Sequence, residues 1–242
     1  MELTDRAFWS NYWRNKKELY EQPVNSDYLF TPLFKKHIQK YRPKSAVELG
    51  GFPGTFSVHL HQKFNVKTTL VDYFIDEDLL RAFFKANGIK DNELEWKEAD
   101  VLSHLPVHAK FDMVFSIGLI EHFESSENIM YAHYRYLNPG GSLLVILPNF
   151  TGINGWFQRK FDKENYDKHY IKCMELGFLR SRMEKLNFQE IETDYFGGFT
   201  IWLENYSTQK SSVKYLFKLV WTLGKIVSKI LPIKGRWFSP YI

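Results

Sequence analysis

The sequence predicts an α/β fold: a mostly parallel sheet with helices on both faces, N-terminal helices before it and a C-terminal amphipathic helix after it. Three observations carry the prediction. Between Ala46 and Leu147, short apolar runs alternate with helix-like stretches of 10–15 residues, the spacing of right-handed βαβ crossovers. Glu48, Asp72 and Asp100 stand at or just beyond the ends of three successive strand-like runs. Finally, 44% hydrophobic residues, with 21 Phe, 14 Tyr and 7 Trp, provide ample surface to bury, which excludes a disordered chain.

The elements follow in order. Residues 5–21, with Phe8, Trp9, Tyr12 and Trp13, read as an aromatic helix, and 28–41 as a second, ended by Arg42-Pro43-Lys44. Residues 46–49 form a short buried strand before the tight turn Gly50-Gly51-Phe52-Pro53-Gly54. Helices are expected at 55–64, 76–87 and 125–137, and strands at 68–72, 93–98, 111–117 and 141–147. Asn138-Pro139-Gly140-Gly141 is a turn signal before the last of these. Beyond Pro148 the pattern loosens. Residues 151–162 are Gly-rich and aromatic, and 163–186 read as one long helix. Residues 188–195 read as a strand that 199–203 can pair with across Gly197-Gly198. The domain reading is therefore a helical lid over 1–43, a core over 44–204, and a basic helix with a final strand over 205–242.

Charge is unevenly placed. Residues 205–242 hold six Lys and one Arg and no acid, leaving residues 1–204 with 25 basic against 28 acidic residues. A near-neutral body argues against a nucleic-acid substrate. Cys173 is the one cysteine, which excludes a disulfide scaffold and fits a reducing, cytoplasmic compartment. The opening residues lack the basic and apolar regions of a secretory signal.

Ligands of open α/β sheets bind beyond the carboxyl ends of the strands. Asp72 falls 22 residues after Gly50, where a ribose-binding carboxylate is expected in a nucleotide-binding unit. A dinucleotide fingerprint would need glycines where this chain has Phe52 and Thr55, which disfavours a nicotinamide dehydrogenase. Glu48, two residues before the first glycine, would repel a pyrophosphate but suits a ligand bearing an ammonium and a sulfonium.

The segments AVELGGFPGTFS, LVDYF, EADVLS, FDMVFSIGLIEHF and LNPGGSLLVILPN, in this order over residues 44–150, resemble the successive motifs of class I S-adenosylmethionine-dependent methyltransferases. The resemblance implies a Rossmann-like sheet of seven strands and S-adenosylmethionine as cofactor. It further implies that Glu48 and Gly50, Gly51, Phe52, Pro53 and Gly54 hold its methionine part. Asp72 would bind the ribose and Asp100 the adenine amine, with Tyr73 and Val101 flanking the adenine and Ile117 and Gly118 beside the cofactor. Phe52 departs from the family's E-x-G-x-G-x-G, so a ring stands where the middle glycine belongs.

Glu121 and His122, after the fourth strand, and His169 are the candidate catalytic groups, because a hydroxyl acceptor needs a base within hydrogen-bond reach. Some metal-dependent members carry E-x-x-E-H here; Gly118 replaces the first Glu, so no Mg²⁺ and no other metal is expected. The resemblance to bacterial glycan-type or secondary-metabolite enzymes implies a small-molecule or glycan acceptor, methylated on oxygen. Asn149 and NFTGINGWF are expected to line the acceptor pocket, with Gly152 and Gly155 letting the loop move.

In residues 213–233, Lys214, Lys218, Lys225 and Lys229 fall within an arc of about 60°, opposite an apolar face, and the central lysines exclude a membrane span. Two readings stay open: packing on the body or a second subunit, or peripheral contact with an anionic membrane. A catalytically silent cofactor-fold module acting through this segment is the alternative to an enzyme. Oligomeric state is not legible.

Overall fold

The computed structural model describes residues 3–16, 20–90, 92–103, 110–231 and 233–242. The expected alternation is present in them. Helix α1 (Arg6–Arg14) starts where the Asp5 carboxylate accepts the Phe8 N–H at 2.7 Å, and α2 (Thr31–Tyr41) stops at Arg42, whose φ is 50°. The longer first helix expected over 5–21 ends early; its residues 17–19 lie outside the described set. Then come β1 (Ser45–Leu49), α3 (Thr55–Phe64), β2 (Lys67–Asp72), α4 (Glu77–Ala86), β3 (Glu95–Glu98), β4 (Phe111–Ile117), α5 (Ser126–Arg135) and β5 (Leu137–Ile146). The Asn138–Gly141 turn signal falls inside β5, with Gly140 at φ 77°.

The strand order is β3-β2-β1-β4-β5, and the β1–β2, β1–β4 and β2–β3 ladders are parallel. Right-handed crossovers that travel outward through α3 and α4, and the opposite way through α5, cover opposite faces of such a sheet. Register brings the strand ends level: Glu48 faces Leu70 on one side and Phe115 on the other, and Asp72 faces Glu98. The order reverses between β1 and β4, the switch point at which open α/β sheets bind ligands.

The chain forms two compact units. One comprises residues 4–119 and 127–145; the other joins the described part of 1–3 to 120–126 and 146–242. The core of the first gathers Phe52, Val58, Leu70, Phe74, Leu80, Phe83 and Phe84, with Trp9, Trp13 and Tyr20 packed among them.

The second unit departs most from expectation. Residues 151–162 are α6 (Ile153–Phe161) rather than a mobile loop. A Cβ on Gly155 would overlap the Phe150 carbonyl, and one on Gly152 the Arg236 carbonyl, so these glycines serve close packing. The helix expected over 163–186 is broken into α7 (Lys163–Asp167), a single turn (Ile171–Met174) and α8 (Leu176–Lys185). Among the described residues the sheet has five strands. Residues 188–195 form none, since Asn187 (φ 59°) and Glu190 (φ 52°) interrupt the extended run. Single antiparallel bridges join Tyr241 to Pro148 and to Phe196, and Leu147 and Ile242 exchange two backbone hydrogen bonds.

Phe199, Ile201 and Leu203 alternate inward without forming a strand. With Phe157 they form a second core, onto which α9 (Ser211–Ile230) packs Leu216, Phe217 and Val220. Gly224 permits the approach, because a Cβ there would overlap the Phe199 ring. The chain flanking α9 is fastened to α6: Trp202 N–H donates to Asn154 Oδ1 at 3.1 Å, and Ile153 N–H donates to the Trp237 carbonyl at 3.1 Å. Of the amphipathic segment expected over 213–233, residue 232 lies outside the described set. Among the described residues no helix is long and apolar enough to cross a membrane.

Candidate active site

The glycine turn is built around Glu48. Its Oε2 accepts the Ser57 N–H at 2.8 Å and the Ser57 hydroxyl at 2.6 Å. A Cβ on Gly51 would overlap this carboxyl, so only glycine admits it under the turn. Burial pushes the Glu48 carboxyl up to about 8, against the pull of Ser57. Gly50 (φ 66°) donates its N–H to the Val71 carbonyl at 2.8 Å, and Gly54 (φ 91°) opens α3.

Phe52 turns into the core rather than over the strand ends. It is 1% exposed and packs edge-on to Phe74 and Trp13. The departure from the three-glycine pattern is thus absorbed by the interior. The Phe52 backbone N–H donates to Asp72 Oδ2 at 2.9 Å, and Phe74 N–H to Oδ1 at 3.0 Å. Burial raises the Asp72 carboxyl to about 6, while these N–H groups oppose the rise.

Asp100 follows β3 and folds back on itself, accepting the Leu102 N–H at 2.8 Å. Val101 is buried, Tyr73 is exposed, and Ile117 ends β4 before Gly118 at φ 70°. Parallel register thus sets the strand ends that carry Glu48 and Asp72 level with one another. Sequence reasoning missed Ser57, which satisfies Glu48, and Glu98, which accepts the Ile75 N–H at 2.9 Å beside Asp72. An acid facing Asp72 in the β3 register was the available signal for Glu98; Ser57 carried none.

Glu121, His122 and His169 belong to the second unit and lie together there. The His122 and His169 ring centroids are 4.8 Å apart. Burial lowers both imidazoles, His122 to about 3, and raises the Glu121 carboxyl to about 8. Asn149, expected in a pocket wall, is a clasp instead. Its amide donates to the Arg236 and Ser239 carbonyls at 2.8 Å each, and its Oδ1 accepts from Thr151. Cys173 is buried, and burial raises its thiol.

The profile of the family described as "Methyltransferase domain" matches residues 12–193. The chain belongs to this family. The likeness extends to solved structures at the level of the fold. A phosphoethanolamine N-methyltransferase 2 of Haemonchus contortus, in complex with S-adenosyl-L-methionine, matches at 16% identity and TM-score 0.60, covering 98% of this chain and 58% of that one. A methyltransferase of Archaeoglobus fulgidus matches at 16% and 0.55, covering 98% and 97%. The plantazolicin methyltransferase BpumL, with a desmethyl substrate analogue and S-adenosylhomocysteine, matches at 13% and 0.57, covering 88% of each. Against a further structure of the Haemonchus enzyme the chain spans 39% of its length.

The residues present fit the cofactor this family implies. Asp72 stands rigid at a strand end, and its two accepted N–H groups leave lone pairs for vicinal hydroxyls, out of about four in a carboxylate. Gly50 and Gly51 carry no side chain of their own, and the Leu119 side chain lies against the first and the Glu48 carboxyl against the second.

Proposed function

We propose that the protein transfers a methyl group from S-adenosylmethionine to an oxygen of a small-molecule or glycan acceptor. When bound, the cofactor supplies an electrophilic methyl on a sulfonium. Asp72 would hold its ribose, the Gly50–Gly54 turn and Glu48 its methionine part, and Asp100, Val101 and Tyr73 its adenine, with Ile117 and Gly118 alongside. The single observation that carries the reading is the rigid Asp72 carboxylate, held by two backbone N–H groups at the end of β2, the strand next to β1. Displacement at a methyl carbon is in-line, so holding the partners in place supplies much of the acceleration.

Glu121, His122 and His169 are the groups we assign to the acceptor's proton. Each ring is oriented by a hydrogen bond from Nδ1 to a backbone carbonyl, which fixes its tautomer. Segment 1–43 we read as a lid, in keeping with Trp9 and Trp13 packing on the cluster around Phe52.

A second proposal concerns place of work. On α9, Leu219, Leu223, Ile226, Val227 and Ile230 are all exposed, across the helix from the lysine stripe, and Tyr215 and Trp221 are exposed as well. Apolar, aromatic and cationic groups in that arrangement suit the surface of an anionic membrane.

Calorimetry with S-adenosylmethionine tests the enzymatic reading. Micromolar binding, reduced at least tenfold in Asp72→Ala, is expected, with methylated product from an acceptor panel detected by mass. No binding at millimolar cofactor would favour the silent module, and unchanged affinity in the variant would overturn the ribose assignment.

A further inference from the structure

Three glycines soften the turn Gly50-Gly51-Phe52-Pro53-Gly54, and a single ring anchors it. Phe52 meets the Phe74 ring at 5.6 Å, the Trp13 ring at 5.7 Å and the Tyr20 ring at 6.0 Å, centroid to centroid. Two of these partners come from the N-terminal segment. Trp13 lies in the last turn of α1, and the Tyr20 hydroxyl donates to the Trp13 carbonyl at 3.0 Å. Phe74 is gripped from the same helix: the Arg6 and Arg14 guanidinium carbons stand 5.5 and 5.8 Å from its ring centroid. Both arginines are in turn tied down, Arg6 to Glu98 at 2.6 Å and Arg14 to Asp76 at 3.3 Å. All of these residues belong to the first compact unit.

The two rings that α1 holds are those of the two residues whose backbone N–H groups hold the Asp72 carboxylate. Phe52 donates to Oδ2 at 2.9 Å and Phe74 to Oδ1 at 3.0 Å. In each residue the amide nitrogen is one bond from the Cα that bears the ring, so the seat of the ring sets where the N–H points. Hydrogen bonds weaken steeply with misalignment, and a glycine at position 52 would leave the donor to Oδ2 without an anchor. The next residue is held in the same way. Ile75 N–H donates at 2.9 Å to Oε2 of Glu98, the carboxylate whose Oε1 pairs with Arg6.

We propose that Trp13 is a positioning residue for the cofactor: seated on Phe52, it fixes the N–H that aims the Asp72 carboxylate at the ribose hydroxyls. Phe52, the departure from the family's glycine pattern, is then the coupling between the N-terminal helix and the nucleoside site. The inference rests on the ribose role proposed above for Asp72. It adds that α1 sets cofactor affinity through the interior, by way of the turn.

The test is a double-mutant cycle on the full chain, read by calorimetry with S-adenosylhomocysteine. Helix α1 has no fully buried residue, so Trp13→Ala leaves no closed cavity; folding is checked by circular dichroism. Trp13→Ala should bind at least about fivefold more weakly than the unmodified chain, whereas Trp13→Phe, which keeps a ring on Phe52, should stay within about twofold. In an Asp72→Ala background the same Trp13→Ala step should change affinity by less than about twofold, because the group it acts through is gone. A Trp13 that only stabilises the fold, or that touches the cofactor itself, gives equal losses in both backgrounds, and that result overturns the inference. So does a folded Trp13→Ala chain that binds as well as the unmodified one. Should Trp13→Ala fail to fold, Arg6→Gln with Arg14→Gln takes its place in the cycle, with a loss of at least about twofold expected only where Asp72 is present. Unchanged affinity in Asp72→Ala alone overturns the ribose assignment and this inference together, whereas equal losses in the two backgrounds overturn the inference alone.

Discussion

Two backbone N–H groups meet the Asp72 carboxylate, one on each oxygen, and this makes the residue structural before any ligand arrives. Asp72→Ala therefore costs folding stability as well as affinity, about 1–3 kcal/mol for the stranded donors, so binding must be measured below its lowered melting point. Glu48 sets a pH dependence. Its folded carboxyl is raised to about 8 from 4.5, so the folded state holds the proton more tightly than the unfolded chain. That contribution is complete below about pH 4.5 and is lost as pH climbs toward 8; Asp72, raised to about 6, acts in the same direction between roughly pH 4 and 6. The unmodified chain should lose at least about 2–4 °C more in melting temperature between pH 5 and 8 than Glu48→Gln. Equal slopes in differential scanning calorimetry would refute this. The acids themselves were readable in the sequence because strand ends are. The fate of Phe52 was not: whether a ring enters the core or blocks a turn depends on neighbours such as Trp13 and Phe74, distant in sequence.

For whole elements, local periodicity worked where the chain repeats one βαβ unit and failed where it does not. Helix α3 and strand β4 begin and end where apolar spacing placed them. Helix α6 was hidden, since Gly152, Asn154 and Gly155 look like loop residues, although Ile153, Phe157 and Phe161 already stood at helical spacing. The break between α7 and α8 escaped because a backbone hydrogen bond from Tyr170 to Glu121 competes there with helix continuation. Glycine substitutions separate the roles. Gly155→Ala, forced against the Phe150 carbonyl, should destabilise by about 3 kcal/mol or more, whereas Gly177→Ala in α8, with nothing within 4 Å, should stabilise by about 0.4–1 kcal/mol. Urea unfolding of both variants checks the contrast.

Across the molecule, positive charge is concentrated in the last segment, six Lys and one Arg in residues 205–242 against none of opposite sign. Liposome co-sedimentation should show binding to vesicles rich in anionic lipid and little to neutral ones. Lys218→Glu with Lys225→Glu and Lys229→Glu should abolish it without moving the melting temperature by more than about 2 °C, since Lys218 and Lys229 are exposed and Lys225 only leans on Trp221. Failure to co-sediment with anionic vesicles would leave α9 a packing element alone. Ile153 and Asn154 are consecutive residues, and between them they fasten the chain on both flanks of α9. The departure and return points of that excursion are therefore neighbours, and closing a shorter or longer path between them costs little entropy. The helix is in this sense a cartridge: evolution, or an engineer, can exchange it for another address while its mounting stays intact.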